Sequence, residues 1–278
     1  YIMKRYLSFF LFFLAFTFSL SAAELSDSDS ALIYKTLDAR LKTRLFETPD
    51  EAISFLNNFK SEILNDKDYN SAGKEAKIIS ENMIALERYN YMYAKDINAK
   101  ELKPYIIEQY KKIEAFQKAN ENQEFSPWFV LSSGDVINSS MQFIPQGTAI
   151  KLGLKEKDDY DKVVKKYPSL AFGRINRALW YYFAPAIGGG SKNVAKEDFE
   201  NAVKNASCNY EKFYSRIYLS QVYFDEGKKE ECKKLLSECD EILPGNFYTP
   251  FIKILNDNNY SLMYYVINRE KVDKKLGL

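Results

Sequence analysis

Residues 219–244, LSQVYFDEGKKEECKKLLSECDEILP, decide the fold of this chain. Gly227 marks a turn between two helical segments, and Pro244 closes the second of them. Cys232 and Cys239 are separated by two helical turns, so both lie on the same face of the second segment. Their small side chains allow that face to approach the first helix closely. The stretch therefore predicts an antiparallel helical hairpin with tight packing between its two helices.

The same residues fit a repeat pattern of two helices with a period of about 34 residues. The fit rests on Leu219, Tyr223, Gly227, Cys232, Leu236, Cys239 and Pro244. The two cysteines stand where the pattern has alanine, and Arg216 stands where it has tryptophan. Because cysteine and alanine are both small, we interpret these thiols as core-packing residues rather than redox groups.

A second copy of the pattern precedes the first. Its small and aromatic positions are filled by Ala178, Tyr181, Ala195, Phe199 and Ala202. The turn between its two helices, residues 184–190, is about five residues longer than the pattern requires. Residues 127–167 resemble a third, degenerate pair of helices. Residues 31–64 and 71–120 are candidates for further divergent pairs.

The rest of the sequence also predicts helices. Valine is scarce, alternating strand patterns are absent, and Thr48-Pro49-Asp50-Glu51 combines a helix cap with a proline in the first turn. The polar segment 24–30 suggests a flexible start. We therefore predict one all-α domain over residues 24–278, built of stacked antiparallel helical hairpins. The predicted helices cover 31–46, 50–64, 71–95, 100–120, 127–143, 147–166, 169–184, 192–206, 210–226, 228–242, 249–257 and a charged capping helix at 260–275.

These residues resemble the tetratricopeptide repeat (TPR) superfamily, most specifically over residues 169–246. A narrower resemblance comes from the long turn and its flanking helices, LWYYFAPAIGGGSKNVAKEDFENAV at 179–203. This stretch is similar to the periplasmic T-component of TPR-associated TRAP transporters. The resemblance implies a TPR-like superhelix with a hydrophobic cleft or pore. It also implies an extracytoplasmic solute-binding protein as the partner.

Residues 1–23 predict a secretory signal peptide. Lys4 and Arg5 form a positive start, residues 7–20 are apolar but short for a membrane span, and Ser21-Ala22-Ala23 suits a cleavage site. An uncleaved anchor is the alternative. No cysteine lies near the cut, so no lipid attachment is indicated, although T-components are often lipoproteins. We expect a periplasmic protein.

Composition narrows the possible chemistry. The chain of 278 residues has no histidine, which excludes a Ser-His-Asp triad, a Cys-His pair and imidazole metal ligands. A net charge of +1 provides no electrostatic surface for nucleic acid. We favour three buried thiols, with a disulfide from Cys208 to Cys232 or Cys239 as the alternative. We expect no catalytic residue, cofactor or metal site.

Aromatic residues are the candidates for a ligand or partner cleft. The predicted cleft residues are Trp180, Tyr181, Tyr182, Phe183, Trp128, Phe129 and Phe143. The first four are consecutive and point all round a helix, so they cannot all face one core. Packing between repeats is the alternative interpretation. Asp135, a charge among small and apolar residues, is either a buried paired group or a polar point in the cleft.

Two polar stretches resemble binding motifs without matching them. Gly188-Gly189-Gly190-Ser191-Lys192 precedes a helix but lacks the spacing of a phosphate-binding P-loop. We interpret it as a flexible turn with Ser191 as a helix cap. Residues 155–161, KEKDDYD, lack the glycine and closing glutamate of a calcium loop, so we interpret them as a solvated helix face.

Together these features predict a non-catalytic periplasmic binding protein, an accessory subunit that docks a solute-binding protein for TRAP-type uptake. Stacked hairpins give a long concave surface on which aromatic side chains supply most of the binding energy. A small hydrophobic ligand and a homo-oligomer are further expectations. A general cell-envelope TPR scaffold is the alternative, and a carboxylate-based hydrolase is a remote one.

Overall fold

A computed structural model describes residues 25–277, and all regular structure in that range is helical. The predicted signal peptide lies outside the described residues. The α-helices are α1 Asp27–Lys42, α2 Pro49–Ile63, α3 Lys67–Ser71, α4 Lys74–Lys95, α5 Leu102–Ala119, α6 Pro127–Ser140, α7 Gln146–Lys166, α8 Ala171–Phe183, α9 Lys192–Asn205, α10 Asn209–Asp225, α11 Lys229–Ile242, α12 Tyr248–Asp257, α13 Leu262–Ile267 and α14 Arg269–Leu276. The predicted all-α class is confirmed.

Neighbouring helices pack as hairpins that stack on one another. In the C-terminal half, α8 packs along α9 and α10 along α11, while α9 also packs on α10. In the N-terminal half, α1 and α2 both pack on α4, and α4 and α5 pack on α6. The predicted stack of helical hairpins is therefore confirmed, and the fold is compatible with a TPR-like superhelix.

Hairpin α10–α11 contains the residues that predict the repeat. Gly227 has the left-handed φ of +75°, and the Lys228 N–H donates to the Tyr223 carbonyl at 2.8 Å, which reverses the chain. Cys232 and Cys239 are 2% and 0% exposed. The leucines of the pattern are buried as well, Leu219 and Leu236. Small residues at the two cysteine positions thus let α11 lie close to α10.

Hairpin α8–α9 is the second copy of the pattern. Ala178 of α8 and Ala195 of α9 are fully buried where the two helices meet. Asp198 of α9 is also fully buried, and it accepts hydrogen bonds from Arg174 and Arg177 of α8 at 2.6 Å each. Small apolar residues and a buried charge cluster therefore hold this hairpin together.

The long turn between α8 and α9 depends on two glycines. Gly189 has a φ of +97°, and a Cβ on Gly190 would lie 1.9 Å from the Ala184 carbonyl oxygen. The Ser191 hydroxyl accepts from the Val194 N–H at 3.4 Å and caps α9. The turn is thus shaped by close backbone contact before it enters the helix.

The first described helix begins earlier than the sequence suggests. Helix α1 starts at Asp27, inside the polar segment 24–30 that suggested a flexible start. The Ser26 hydroxyl accepts from the Asp29 N–H at 3.1 Å, and the Asp29 carboxylate accepts from the Ser26 N–H at 3.2 Å. This reciprocal cap satisfies two backbone donors, so the helix extends into a polar sequence.

The C-terminal segment is two helices rather than the single capping helix predicted at 260–275. The chain leaves helical geometry at Asn268, where φ is −121°, between α13 and α14. Leu262 and Met263 of α13 are buried, whereas most of α14 is charged and accessible. The segment therefore covers apolar surface with α13 and presents charge to solvent with α14.

Candidate functional site

A central cavity lies between the N-terminal and C-terminal hairpins. Its volume is about 670 Å³, and α1, α4, α6, α7, α8, α10, α12 and α13 all contribute to its wall. Its charged, amide and aromatic lining residues are Arg40, Asn90, Asp135, Asn138, Asn176, Tyr160, Phe172, Trp180, Phe183, Tyr210, Tyr218 and Tyr248. Aliphatic side chains make up much of the remaining wall. The central cavity is therefore a largely apolar space with a few polar points.

Helix α8 supplies one continuous face to the central cavity. Every third or fourth residue from Phe172 to Phe183 lines it, as expected for one side of a helix. The Trp180 indole N–H donates to the Gly153 carbonyl of α7 at 3.1 Å, which fixes the ring in the wall. Phe183 and Val266 of α13 are 38% and 57% exposed. These two residues mark the mouth of the cavity.

The four consecutive aromatic residues divide between two environments. Trp180 and Phe183 line the central cavity, whereas Tyr181 and Tyr182 do not. The Tyr181 hydroxyl donates to the Asp161 carboxylate at 3.1 Å, and the Tyr182 hydroxyl donates to a carboxylate of α10. The rotation of the helix explains the division, since consecutive side chains point in different directions.

The earlier aromatic candidates lie outside the central cavity. Trp128 stacks on the cavity-lining ring of Phe172, with ring centroids 5.2 Å apart, and lines a separate groove. Phe129 is fully buried beside an outer pocket. Phe143 lies in a short 3-10 turn, Met141–Phe143, and packs against the main core. The structure therefore brings two of the seven predicted residues into one cavity and leaves Trp128 supporting its wall.

A buried charge network reaches the wall of the central cavity through Arg40. Arg40 is 4% exposed, and its Nε donates to Oε2 of Glu87 at 3.1 Å. Nη2 of Arg44 lies 3.3 Å from the other oxygen of Glu87. Nη1 of Arg40 has no hydrogen-bond partner within residues 25–277. The Arg40 guanidinium also lies 4.9 Å from the ring centroid of Tyr210, a cation–π contact. One carboxylate thus serves two guanidinium groups.

Arg44 ties the N-terminal and C-terminal halves together. Its Nε donates to the Tyr214 hydroxyl at 2.7 Å and its Nη1 to the Tyr91 hydroxyl at 2.9 Å. Its guanidinium lies 4.4 Å from the ring centroid of Tyr248. Arg44 lies in the 3-10 turn Thr43–Leu45 directly after α1, so these contacts link that turn to α4, α10 and α12 and fix the position of the wall around the cavity.

Asp135 is a polar point inside the central cavity. Burial raises the pKa of its carboxyl to about 7; Arg40 opposes this shift and Glu87 adds to it. Burial also raises the pKa of Tyr210 and Tyr218 well above the ordinary tyrosine value. At neutral pH the wall thus offers neutral hydroxyl groups and a carboxyl group close to its titration midpoint.

An outer pocket of about 310 Å³ lies between α5, α6 and α7. Glu156 lines it at 4% exposure, and neither of its carboxyl oxygens has a hydrogen-bond partner in the described part of the chain. Burial, reinforced by Asp135, raises the pKa of Glu156 to about 9, so it is neutral at pH 7. The solvated-face interpretation of residues 155–161 therefore fails for Glu156 and Tyr160, which point inward.

The three cysteines are free thiols. Cys232 and Cys239 are buried and Cys208 is partly buried. Burial raises the pKa of Cys208 and of Cys232 to about 11, and that of Cys239 well above its ordinary value. Protonated thiols are poor nucleophiles, so their environment fits a packing role better than a redox role.

Sequence reasoning did not single out Arg40 or the cavity-lining Tyr210 and Tyr218 of α10. A signal was present for each. Arg40 occupies the apolar face of α1, three residues after Leu37. Tyr210, Tyr214 and Tyr218 recur at intervals of four, which places three rings along one face of α10. A charge on an apolar face and a stripe of tyrosines both point to a polar interior.

Among residues 25–277 there is no group of three or more Asp, Glu or Cys side chains placed to hold a metal ion. No helix in the same range is long and apolar enough to cross a membrane. The chain matches no protein-family model and no curated protein. Its function is therefore inferred from the central cavity and from the residues around its mouth.

Proposed function

We propose that this protein is a non-catalytic, exported TPR-like binding protein whose central cavity holds a small solute. In this role it is an accessory subunit that docks a solute-binding protein for TRAP-type uptake. The observation that carries the proposal is the cavity itself, about 670 Å³ in volume and walled by one face of α8. A concave, largely apolar space with a few fixed polar groups is typical of small-molecule sites.

The mouth of the central cavity supports the docking role. Phe183 and Val266 line the mouth and are accessible, and Ile187, two residues beyond the cavity-lining Pro185, is fully exposed. Exposed apolar side chains grouped around an opening are typical of surfaces that bind another protein. A solute-binding protein docked there would exchange its solute with the cavity without releasing it.

The fixed wall of the central cavity supports the binding of a ligand there. Arg44, in the turn after α1, holds α4, α10 and α12 through hydrogen bonds and ring contacts. Trp180 is fixed to α7 through its indole N–H. A site held in place in this way loses little conformational freedom when a ligand binds, which favours affinity.

Affinity purification of the tagged chain from its own envelope fraction tests the proposal. We expect a solute-binding protein to co-purify in near-stoichiometric amount and to be identified by mass spectrometry. Ile187→Asp should abolish its recovery, since a charge at the mouth opposes apolar docking. Leu64→Asp is the matched control, because Leu64 is 50% exposed on a different part of the surface.

Three other results would count against the proposal. Recovery of assorted envelope proteins favours the general TPR scaffold. Recovery of no partner removes the docking role. Equal capture of the solute-binding protein by Ile187→Asp and Leu64→Asp would place the docking surface away from the mouth of the cavity.

A further inference from the structure

We propose that helices α13 and α14 form a hinged flap at the mouth of the central cavity, and that Arg269 latches this flap closed. The flap comprises residues 260–276. The inference rests on the proposed function, because it concerns how a solute enters and leaves the same cavity. It follows from which end of the flap is buried in the core and which end is held by the side chain of Arg269.

The flap is a V of two short helices. The Lys275 ammonium donates to the Tyr260 hydroxyl at 2.8 Å, which brings the last turn of α14 beside the start of α13. The tip of the V is Asn268, where the chain leaves helical geometry between the two helices. The two ends of the flap therefore lie together, and the tip lies away from them.

The beginning of the flap is fixed to α10 and α12. The Leu262 N–H donates to Oε1 of Gln221 at 2.8 Å, and Nδ2 of Asn256 donates to the Tyr260 carbonyl at 2.9 Å. Leu262 and Met263 are 3% and 1% exposed, so both side chains are buried in the core. This end therefore stays in place and serves as the hinge.

The tip of the flap is held on α4 by the side chain of Arg269. Its Nη1 donates to the Tyr93 carbonyl at 2.9 Å, and its Nη2 donates to the Ala94 carbonyl. Both carbonyls belong to the last turn of α4, where a helix leaves its C=O groups without N–H partners. A guanidinium suits this position because it provides paired donors and a positive charge at the negative end of the helix dipole.

Water can replace the contacts at the tip, whereas the contacts at the hinge are buried. The Arg269 side chain is 23% exposed, and the neighbouring Val266 and Ile267 are 57% and 68% exposed. Among the residues of α14, Val272 is the only buried one. Release of Arg269 therefore exposes little apolar surface, because water hydrates both the guanidinium and the two carbonyls.

The position of α13 makes this release a gate for the central cavity. Leu262, Met263 and Val266 line the cavity, and Val266 lies at its mouth. A swing about the hinge moves Val266 away from the opening, because Val266 lies one helical turn beyond the fixed Leu262. Exchange of a solute with the cavity therefore requires the latch to open.

Stopped-flow fluorescence of the full chain with the uncharged dye N-phenyl-1-naphthylamine, which becomes fluorescent in apolar sites, tests the inference. Arg269→Gln removes the paired donors of the latch. It should raise the rate constants of both dye binding and dye release at least about tenfold. The dissociation constant should stay within about twofold, since Arg269 does not line the cavity.

Lys274→Gln is the matched control, because it removes the same charge from an exposed position on α14. It should change neither rate constant. Unchanged rate constants in Arg269→Gln overturn the latch. A weaker dissociation constant with an unchanged binding rate also overturns it, because the flap would then be a fixed part of the wall.

A variant in the cavity wall separates failure of the latch from failure of the proposed function. Trp180→Leu should weaken dye binding about tenfold, since Trp180 lines the cavity. If it does not, or if the wild-type chain does not bind the dye, the cavity is not a solute site and both proposals fail. If Trp180→Leu weakens binding and Arg269→Gln leaves the rate constants unchanged, the latch alone fails.

Hydrogen exchange on the wild-type chain decides should Arg269→Gln not fold. The hydrogen-bonded backbone amides of α13 and α14 should exchange with one common rate, and faster than those of α10, because the flap opens as a unit. Exchange as slow as that of α10, or different rates for the two helices, overturns the inference.

Discussion

Gly134 and Tyr160 are in contact across the interface between α6 and α7. A Cβ placed on Gly134 would lie 2.3 Å from the Tyr160 hydroxyl oxygen and 2.9 Å from two of its ring carbons. Tyr160 is 1% exposed and lines both the central cavity and the outer pocket. A position without a side chain therefore lets one tyrosine ring stand between the two spaces.

Gly134→Ala should destabilise the protein by about 1–3 kcal/mol, because the added methyl group forces a rigid ring to move within packed surroundings. Gly147→Ala is the control, since nothing lies within 4 Å of a Cβ placed there. It should be neutral or stabilising, as alanine favours helix over glycine. Urea unfolding of the three proteins measures both effects. Equal stability of the two variants would contradict the contact.

Glu156 should make stability fall as the pH rises. Its pKa is about 9 in the folded chain against an ordinary value of 4.5, so between these values the folded state holds a proton that the unfolded state has lost. The stability that Glu156 contributes to the folded state is complete below about pH 4.5 and is lost as the pH rises through about 9. Relative to Glu156→Gln, the wild-type free energy of unfolding should fall by about 1.4 kcal/mol per pH unit between these limits.

Urea unfolding at a series of pH values from 5 to about 9 checks this slope. Asp158→Asn is the matched control, because Asp158 is an exposed acid on the same helix. It should keep the wild-type slope. A wild-type curve parallel to that of Glu156→Gln would show that Glu156 titrates at its ordinary pKa.

The buried carboxylate of Asp198 should stabilise the α8–α9 hairpin. Asp198→Asn leaves Arg174 without its counter-charge and Arg177 with Asp161 alone, and breaking a buried pair in this way costs about 3 kcal/mol. Glu230→Gln removes an exposed pair with Lys233 and should cost less than about 1 kcal/mol. Chemical denaturation compares the two. A similarly small loss of stability in Asp198→Asn and Glu230→Gln would mean that solvent screens the charge of Asp198.

The size of the side chain at Cys239 should matter more for stability than its sulfur atom does. Cys239→Ala should cost less than about 1.5 kcal/mol, whereas Cys239→Leu should cost about 1–3 kcal/mol because α11 lies close to α10 there. Thermal unfolding measures the difference. A thiol reagent should modify Cys239 only after denaturation, since the side chain is fully buried. Rapid modification of the folded protein would contradict the packing role.

The helices were predictable because their signals are local. Thr48 caps α2 with Pro49 in its first turn, and Ser126 caps α6 with Pro127, as the sequence indicates. Gly227 marks its turn by a backbone conformation that other residues rarely adopt. The division at Asn268 was not visible, because apolar and charged residues run through it without a proline or glycine.

The central cavity was only partly predictable because its wall is assembled from distant segments. The aromatic run identified Trp180, but the direction of each ring depends on the rotation of α8 against α7. Asp135 stood out as an isolated charge in the sequence. Arg40 and Tyr210 come from opposite ends of the chain, and only the tertiary fold places them 4.9 Å apart.

Trp180 and Tyr181, adjacent in sequence, should differ in what they contribute. Trp180→Leu removes part of the cavity wall and should weaken about tenfold the binding of N-phenyl-1-naphthylamine, an uncharged dye that becomes fluorescent in apolar sites. Tyr181→Phe loses a hydrogen bond to Asp161 outside the cavity, so it should cost about 1 kcal/mol of stability and leave dye binding unchanged. Fluorescence titration and urea unfolding on both variants separate the two effects. The opposite pattern, with binding lost in Tyr181→Phe and kept in Trp180→Leu, would place the ligand on the outer face of α8.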